Sequence, residues 1–180
     1  MTLPASTADL VIEVLVEHHE VKKFRCREND LAVYLKFKAK PSTEIGYGLT
    51  YVAVEPGQAR VWAYYTLSNA SLDVSNFPNP LENAPASIPA IRIGRMAKDR
   101  TCPADDVGGF LLGHAFKMII EAAKRSAVFC VVLEAKNDSL KRKFYRPLGF
   151  MELNDDPLHL YLPISEVRKF VTALEHDNPA

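Results

Sequence analysis

In this 180-residue chain the residues placed to do chemistry are one tyrosine, one glycine-ended loop and two groups of cations. The tyrosine lies in Lys143-Phe144-Tyr145-Arg146-Pro147-Leu148-Gly149-Phe150. Leu140, Phe144 and Leu148 recur every fourth residue and are expected to face a core, which turns Tyr145 about 100° away from that stripe. A phenol so placed can donate a proton to a leaving group, although a lone tyrosine is more often a half-buried packing residue. The loop is Lys98 to Gly109, expected between a strand and a helix. Gly108 and Gly109 allow close backbone approach, and the amides and dipole of a helix start favour a phosphate. A plain loop with a glycine hinge has the same sequence.

The cations are Lys22, Lys23, Arg25, Arg27, Lys36, Lys38 and Lys40, set against Glu28 and Asp30, and then Lys141, Arg142, Lys143 and Arg146. Lys and Arg together number 22, as do Asp and Glu, so the net charge is zero and only its distribution is informative. The two basic segments either converge on an anion or form solvated helix faces. His18-His19-Glu20 is expected on a strand, its histidines on opposite faces, and so no metal site is expected. His114 and His159 have no nucleophile pattern around them, and Gly-x-Ser-x-Gly does not occur. Cys26, Cys102 and Cys130 are odd in number and scattered, as expected of buried thiols in a reducing compartment. No apolar run approaches the roughly 20 residues of a membrane span. Met1 to Asp9 lacks the regions of a secretory signal. The expected location is the cytoplasm.

The elements that must position these groups follow from patterning. Leu10 to Glu17 alternates and reads as a strand. Asn29 or Asp30 is expected to cap a helix that carries Leu31, Tyr34, Leu35 and Ala39 on one face and ends before Pro41. Leu49 to Val54 and Ala59 to Leu67 read as a hairpin about Glu55-Pro56-Gly57-Gln58. Ser75 to Pro89, with four prolines, is expected to be a loop, and long loops in compact domains are often functional. Ala90 to Ala97 and Val128 to Leu133 are strands on either side of a helix from Gly108 to Arg125, a right-handed βαβ unit with parallel strands. A helix from Asp138 to Leu148, short strands at Phe150 to Leu153 and Leu158 to Leu162, and a helix from Pro163 to Leu174 complete one domain, 1–180.

Several segments, taken together and in order, resemble the GNAT acyltransferase superfamily, in particular its bacterial toxins that acetylate aminoacyl-tRNA. They are Phe24-Arg25-Cys26-Arg27-Glu28-Asn29-Asp30-Leu31 through Tyr34-Leu35; Tyr51-Val52-Ala53-Val54 with Ala63-Tyr64-Tyr65-Thr66-Leu67-Ser68; Ile88-Pro89-Ala90-Ile91-Arg92-Ile93-Gly94-Arg95-Met96-Ala97; and Lys143-Phe144-Tyr145 through Gly149-Phe150. The resemblance implies an α/β GNAT fold, with a mixed, mostly antiparallel sheet whose central parallel strand pair splays apart, flanked by helices. It implies acetyl-CoA as acyl donor and a primary amine as acceptor, with the amino group of aminoacyl-tRNA as the toxin-type substrate. By position, the backbones of Met96, Ala97 and Lys98 would bind the pantetheine arm, Val107, Gly108 and Gly109 the pyrophosphate, and Tyr145 would protonate the departing thiolate. Lys36 and Lys38 would contact tRNA. An antitoxin of ribbon-helix-helix type and a homodimer are implied partners.

The chain departs from the family pattern in the pyrophosphate loop. Where relatives carry glutamine or arginine, then glycine, then glycine or alanine, it has Pro103, Asp106 and Gly108, with Asp105 alongside. Pro103 supplies no amide hydrogen. A carboxylate about 4 Å from a phosphate charge, at a dielectric of about 20, is opposed by roughly 4 kcal/mol before screening. Carboxylates facing the phosphates imply a non-catalytic GNAT-fold binding protein with a degenerate coenzyme A loop; carboxylates facing outward leave the enzyme intact. Lys141 also stands where many relatives have alanine, adding bulk or a cation near the tyrosine.

Overall fold

The structure, a computed structural model, describes residues 6–177. Its strands are β1 (Val11–Val14), β2 (Leu49–Val54), β3 (Ala63–Asp73), β4 (Ser87–Lys98), β5 (Cys130–Glu134), β6 (Met151–Glu152) and β7 (His159–Pro163). Its α-helices are α1 (Asn29–Phe37), α2 (Ala39–Ile45), α3 (Val107–Ala123), α4 (Asp138–Leu140) and α5 (Ile164–Asp177). The strands form one sheet in the order β1-β2-β3-β4-β5-β7-β6. β4 and β5 run parallel, from Ala90↔Cys130 to Ile93↔Leu133, with α3 in the crossover between them, as the βαβ reading requires. The ladders β1–β2, β2–β3, β5–β7 and β6–β7 are antiparallel. The parallel ladder stops at Ile93, but β4 continues to Lys98.

The described residues fall into two compact units, one drawn from Met1–Ser68 and Gly94–Ala115, the other from Asn69–Ile93 and Phe116–Ala180. In the first, the β2–β3 hairpin turns where expected: Gln58 N donates to Glu55 O at 2.9 Å and Gly57 supplies φ +72°. β3 starts at Ala63 rather than Ala59, because the chain at Ala59 and Arg60 turns to other partners. Glu20 N donates to Ala59 O at 2.7 Å, and the Arg60 guanidinium lies 3.9 Å over the fully buried Trp62 ring. The N-cap of α1 is Glu28, not Asn29 or Asp30, and no side chain caps it. Pro41 does not simply follow a helix. It sits in the first turn of α2, where a missing N–H leaves no bond unmade. Phe24, Tyr34, Leu35, Ala39, Val52 and Tyr64 form the core of this unit, and Tyr64 donates to Leu31 O at 2.8 Å.

In the second unit Leu72, Phe77, Ile88, Ala90, Cys130, Val132, Leu153 and Tyr161 pack together. The proline-rich segment is part of this core. Phe77 meets Tyr161 edge-on at 4.9 Å and Phe129 at 5.8 Å, and Val74 N closes the segment on Ala86 O at 2.9 Å. The expected functional loop is thus a lid on the core of its own unit. β4 begins at Ser87 and runs through Pro89, which the proline rule had excluded. Pro89 precedes the first parallel pair, so the ladder needs no donor from it, and its carbonyl accepts from Phe129 N at 2.9 Å. All three cysteines are free and buried, and burial pushes the Cys130 thiol up to about 12.

Candidate functional site

β4 ends in Met96, Ala97 and Lys98, of which Ala97 is buried in the core of the first unit and Lys98 is exposed. The loop after them is fastened at its front by Asp99, a carboxylate 2% exposed. Asp99 Oδ2 accepts from Arg25 N at 2.7 Å, and Oδ1 accepts from Thr101 N at 2.9 Å and Thr101 Oγ1 at 2.6 Å. Arg60 Nη2 stands 4.0 Å from Asp99 Oδ1 and donates to Thr101 Oγ1 at 2.8 Å. Two further bonds join the same segments: Arg100 N to Arg25 O at 2.7 Å and Arg100 Nε to Cys26 O at 3.1 Å. A buried carboxylate is tolerated when its lone pairs are met in this way. Lys98 Nζ then reaches forward to Ala104 O at 3.0 Å. The sequence reading missed this anchor, because a single aspartate after a strand carries no spacing signal.

At its rear the loop meets α3. Asp106 adopts φ +47°, the left-handed region that a glycine would occupy at that position of the family pattern. Its exposed carboxylate turns back onto the helix: Oδ1 accepts from Gly109 N at 3.3 Å. Asp105 is exposed, and among the described residues it has no hydrogen bond. The two aspartates therefore divide between the alternatives left open by the sequence. For the coenzyme A that the resemblance implies, the backbone fits and one side chain does not. The turn keeps its left-handed residue, and the Val107 and Gly108 amides have no partner among the described residues, yet a carboxylate stands on the Gly109 amide. The preference of aspartate for the N-cap was the signal that could have placed it there.

Tyr145 belongs to the second unit. Asn137 caps α4 by accepting from Leu140 N at 2.8 Å, and the chain then widens into a π-turn, Lys141–Tyr145, and tightens into a 3₁₀ turn, Arg146–Leu148. Pro147 explains the change of winding, since it has no N–H to continue the α ladder and its ring crowds the preceding turn. Arg146 N consequently reaches back to Lys141 O, and Gly149, at φ +93°, ends the segment. The buried face is not Leu140, Phe144 and Leu148 as expected. Leu140 is 38% exposed, while Lys141 and Tyr145 are 5% and 7% exposed. Lys141 does not reach toward an anion site. Its Nζ contacts Asp138 Oδ1 at 3.0 Å, Glu152 Oε1 at 3.1 Å and Pro157 O at 3.0 Å. The hydrogen bond that Lys141 donates to Asp138, then the one it donates to Glu152, raises its pKa, and Lys141 lowers that of Asp138. Tyr145 packs edge-on to Phe144 at 5.0 Å and Phe150 at 5.5 Å. Burial raises its pKa, and among the described residues nothing hydrogen-bonds its phenol.

The first basic segment is only partly neutralised. Lys40 pairs with Glu17 at 2.7 Å and Lys23 with Glu20 at 3.2 Å. Lys22, Arg27, Lys36 and Lys38 have no ion pair among the described residues; Lys36 is half-buried on α1 and Lys38 is exposed. The histidine pair is not on a strand. It follows β1 in a turn that stacks the rings 4.2 Å apart and brings both toward Glu13. His19 Nε2 lies 2.7 Å and His18 Nε2 3.7 Å from Glu13 Oε1. His19 Nδ1 accepts from Val16 N at 2.9 Å, so its proton sits on Nε2 and is donated to Glu13. A metal at Nε2 would need that proton removed and the turn bond broken, and the arrangement fits a structural tie better than a metal site. A second cluster that sequence reasoning missed joins Tyr65 OH to His114 Nδ1 at 2.7 Å, with Tyr51 stacked on Tyr65 at 5.0 Å.

No family model matches the chain. The tRNA-acetylating toxin of Mycobacterium tuberculosis is 28% identical over 153 residues, spanning 84% of this chain and 90% of that protein. A solved tyrosine-to-phenylalanine mutant of KacT superposes with a TM-score of 0.82 at 24% identity, covering 89% of this chain and 98% of its own. AtaT complexed with acetyl-methionyl-tRNAfMet gives 0.82 at 23%, covering 89% and 98%. AtaT is also solved bound to the C-terminus of the antitoxin AtaR, and AtaTR bound with acetyl-CoA. The chain has the GNAT fold of these toxins, and the resemblance read from its motifs extends to toxins that acetylate tRNA.

Proposed function

We propose that this chain acts in the cytoplasm, as one acyltransferase domain, to transfer the acetyl group of acetyl-CoA to the amino group of the amino acid on a charged tRNA. The observation that carries the reading is Tyr145: a phenol kept neutral by burial, unpartnered among the described residues, on the segment that matches the family's catalytic helix. The similarity to a tRNA-acetylating toxin over 90% of that toxin's length supports the choice of acceptor. Acetyl-CoA, when bound, supplies an activated thioester carbonyl and a thiolate leaving group. The chain's own part is to position and to manage one proton. The Met96, Ala97 and Lys98 backbone would hold the pantetheine arm, and Val107, Gly108 and Gly109 the diphosphate. Holding donor and amine together supplies much of the rate. The amine must arrive as free base. As its nitrogen bonds to the carbonyl carbon and the C–S bond breaks, Tyr145 gives its proton to the sulfur; the nitrogen, now carrying one proton too many, releases it to solvent, and Tyr145 is reprotonated from solvent. Lys36 and Lys38, without acidic partners, would meet tRNA phosphates. The AtaT complex with part of AtaR supports an antitoxin partner, expected to be of ribbon-helix-helix type.

The test is mass spectrometry of charged tRNA after incubation with the protein and acetyl-CoA, followed by nuclease digestion. An acetyl group on the amino acid of the terminal aminoacyl-adenosine is the expected product. Unmodified charged tRNA, with a protein that binds acetyl-CoA, would move the acceptor elsewhere.

A further inference from the structure

The Asp106 carboxylate occupies part of the place where a diphosphate would be gripped. An N-cap residue normally holds extended backbone; Asp106 instead holds φ +47°. That conformation folds its side chain back over the first turn of α3. Oδ1 accepts from Gly109 N at 3.3 Å, and the Asp106 carbonyl accepts from Phe110 N at 3.1 Å. A Cβ placed on Gly109 would stand 2.6 and 2.7 Å from the two carboxylate oxygens, closer than atoms can approach. Gly109 is therefore paired with this carboxylate: any larger residue there would expel it. Of the free first-turn amides, that of Gly109 is thus already engaged from within the chain. Lys98, the cation at the front of the loop, is also engaged, on Ala104 O at 3.0 Å. The loop thus spends its Gly109 amide and its Lys98 ammonium internally, while the Val107 and Gly108 amides have no partner among the described residues.

We propose that Asp106 is a built-in competitor for the diphosphate end of the acyl donor, displaced when the donor binds, so that the pantetheine arm rather than the diphosphate dominates donor affinity in this chain. The proposal rests on the acetyl-CoA reading above for the identity of the ligand. A diphosphate approaching the α3 start meets a negative charge in place of a free amide, and binding must swing the carboxylate out and release the Gly109 amide. Asp105, exposed and unbonded, takes no part.

Calorimetric titration of the whole protein separates the possibilities. The ligands are acetyl-CoA, inorganic pyrophosphate and acetyl-pantetheine, which lacks the diphosphate. The variants are Asp106→Gly and Asp106→Asn. Glycine accepts the left-handed backbone without strain, so Asp106→Gly is expected to fold. It should bind acetyl-CoA and pyrophosphate at least about tenfold tighter than the native chain, as expected when one like charge is removed from an anion site. It should bind acetyl-pantetheine equally well. Asp106→Asn, which keeps the cap but not the charge, should fall between the two. Equal pyrophosphate affinity in all three proteins, or a gain that acetyl-pantetheine shares, would overturn the proposal. Should acetyl-CoA bind none of them while pyrophosphate follows the predicted order, the competitor stands and the acyltransferase reading falls. Should acetyl-CoA and pyrophosphate bind all three equally well, the reverse holds.

Discussion

At the start of α3 a left-handed aspartate turns its carboxylate onto the helix it begins, whereas Asn137 caps the segment carrying Tyr145 and leaves the tyrosine's hydroxyl without a partner among the described residues. Both regions turn on a left-handed residue: Asp106 before α3, and Gly149, which closes the widened turn after Tyr145. They differ in what is left for a ligand: the carboxylate bonds its own helix, and the phenol has no hydrogen bond among the described residues. Backbone conformation is set by a few residues with special φ, and aspartate can replace glycine there at modest cost. The charge that comes with the replacement does not alter the path of the chain, but it does alter what the path can bind.

Removing the proton donor should have the largest effect. Tyr145→Phe keeps the edge-on packing against Phe144 and Phe150 and removes only the hydroxyl, so turnover should fall about 10²- to 10⁴-fold while acetyl-CoA affinity and the melting curve barely change. An active Tyr145→Phe protein would end the comparison, because neither region would then hold family chemistry. Loosening the loop comes next. Asp99→Ala removes the acceptor of the Arg25 amide and both Thr101 donors in a part-buried place, and denaturant unfolding should show a loss of about 2 kcal/mol. Donor affinity should fall with it, since the loop loses its front anchor. Full stability would mean that Arg60 and Arg100 hold the loop unaided. The smallest effect tests neither region but the acceptor side. Replacing Lys36 and Lys38 by glutamine should make the fall of tRNA affinity with salt shallower by about 1.4 to 1.8 in the log–log slope, two phosphate contacts' worth. An unchanged slope would take these lysines out of the RNA surface.

How much of this was legible in the sequence depended on the kind of signal. The β2–β3 hairpin and the β4–α3–β5 crossover announced themselves through apolar periodicity and turn residues, which act locally. The Tyr145 segment was placed correctly but wound wrongly. A count of 3.6 residues per turn put Leu140 on the inside, whereas Pro147 widened the turn and the oxygens of Asp138, Glu152 and Pro157 drew Lys141 inward. Glu152 and Pro157 lie eleven and sixteen residues beyond Lys141 and leave no mark on the helix's own pattern. His18 and His19 were assigned to a strand that ends at Val14. Asp106 was weighed as a charge facing a phosphate and not as a cap facing its own helix, although its place just before Val107 allowed both. Asp99 was overlooked, because its partners at Arg25 and Arg60 are distant in sequence and meet it only in the fold.

The claim on which the account turns is that Tyr145 stays protonated and supplies the proton to the leaving sulfur, and the rate of one turnover as a function of pH tests it most directly. Protein saturated with acetyl-CoA would be mixed with charged tRNA in a rapid-quench instrument between pH 6 and 9.5. Burial raises the Tyr145 pKa above a tyrosine's ordinary value of about 10. The acid is therefore present over this whole range, and of the two groups in the transfer it is the α-amino group, with a pKa of about 8, that titrates within it. The predicted rate climbs as the amine loses its proton and then stays level to pH 9.5. A rate that falls again between pH 8 and 9.5, with the protein still folded, would show a proton donor of lower pKa and would contradict the assignment of that role to Tyr145.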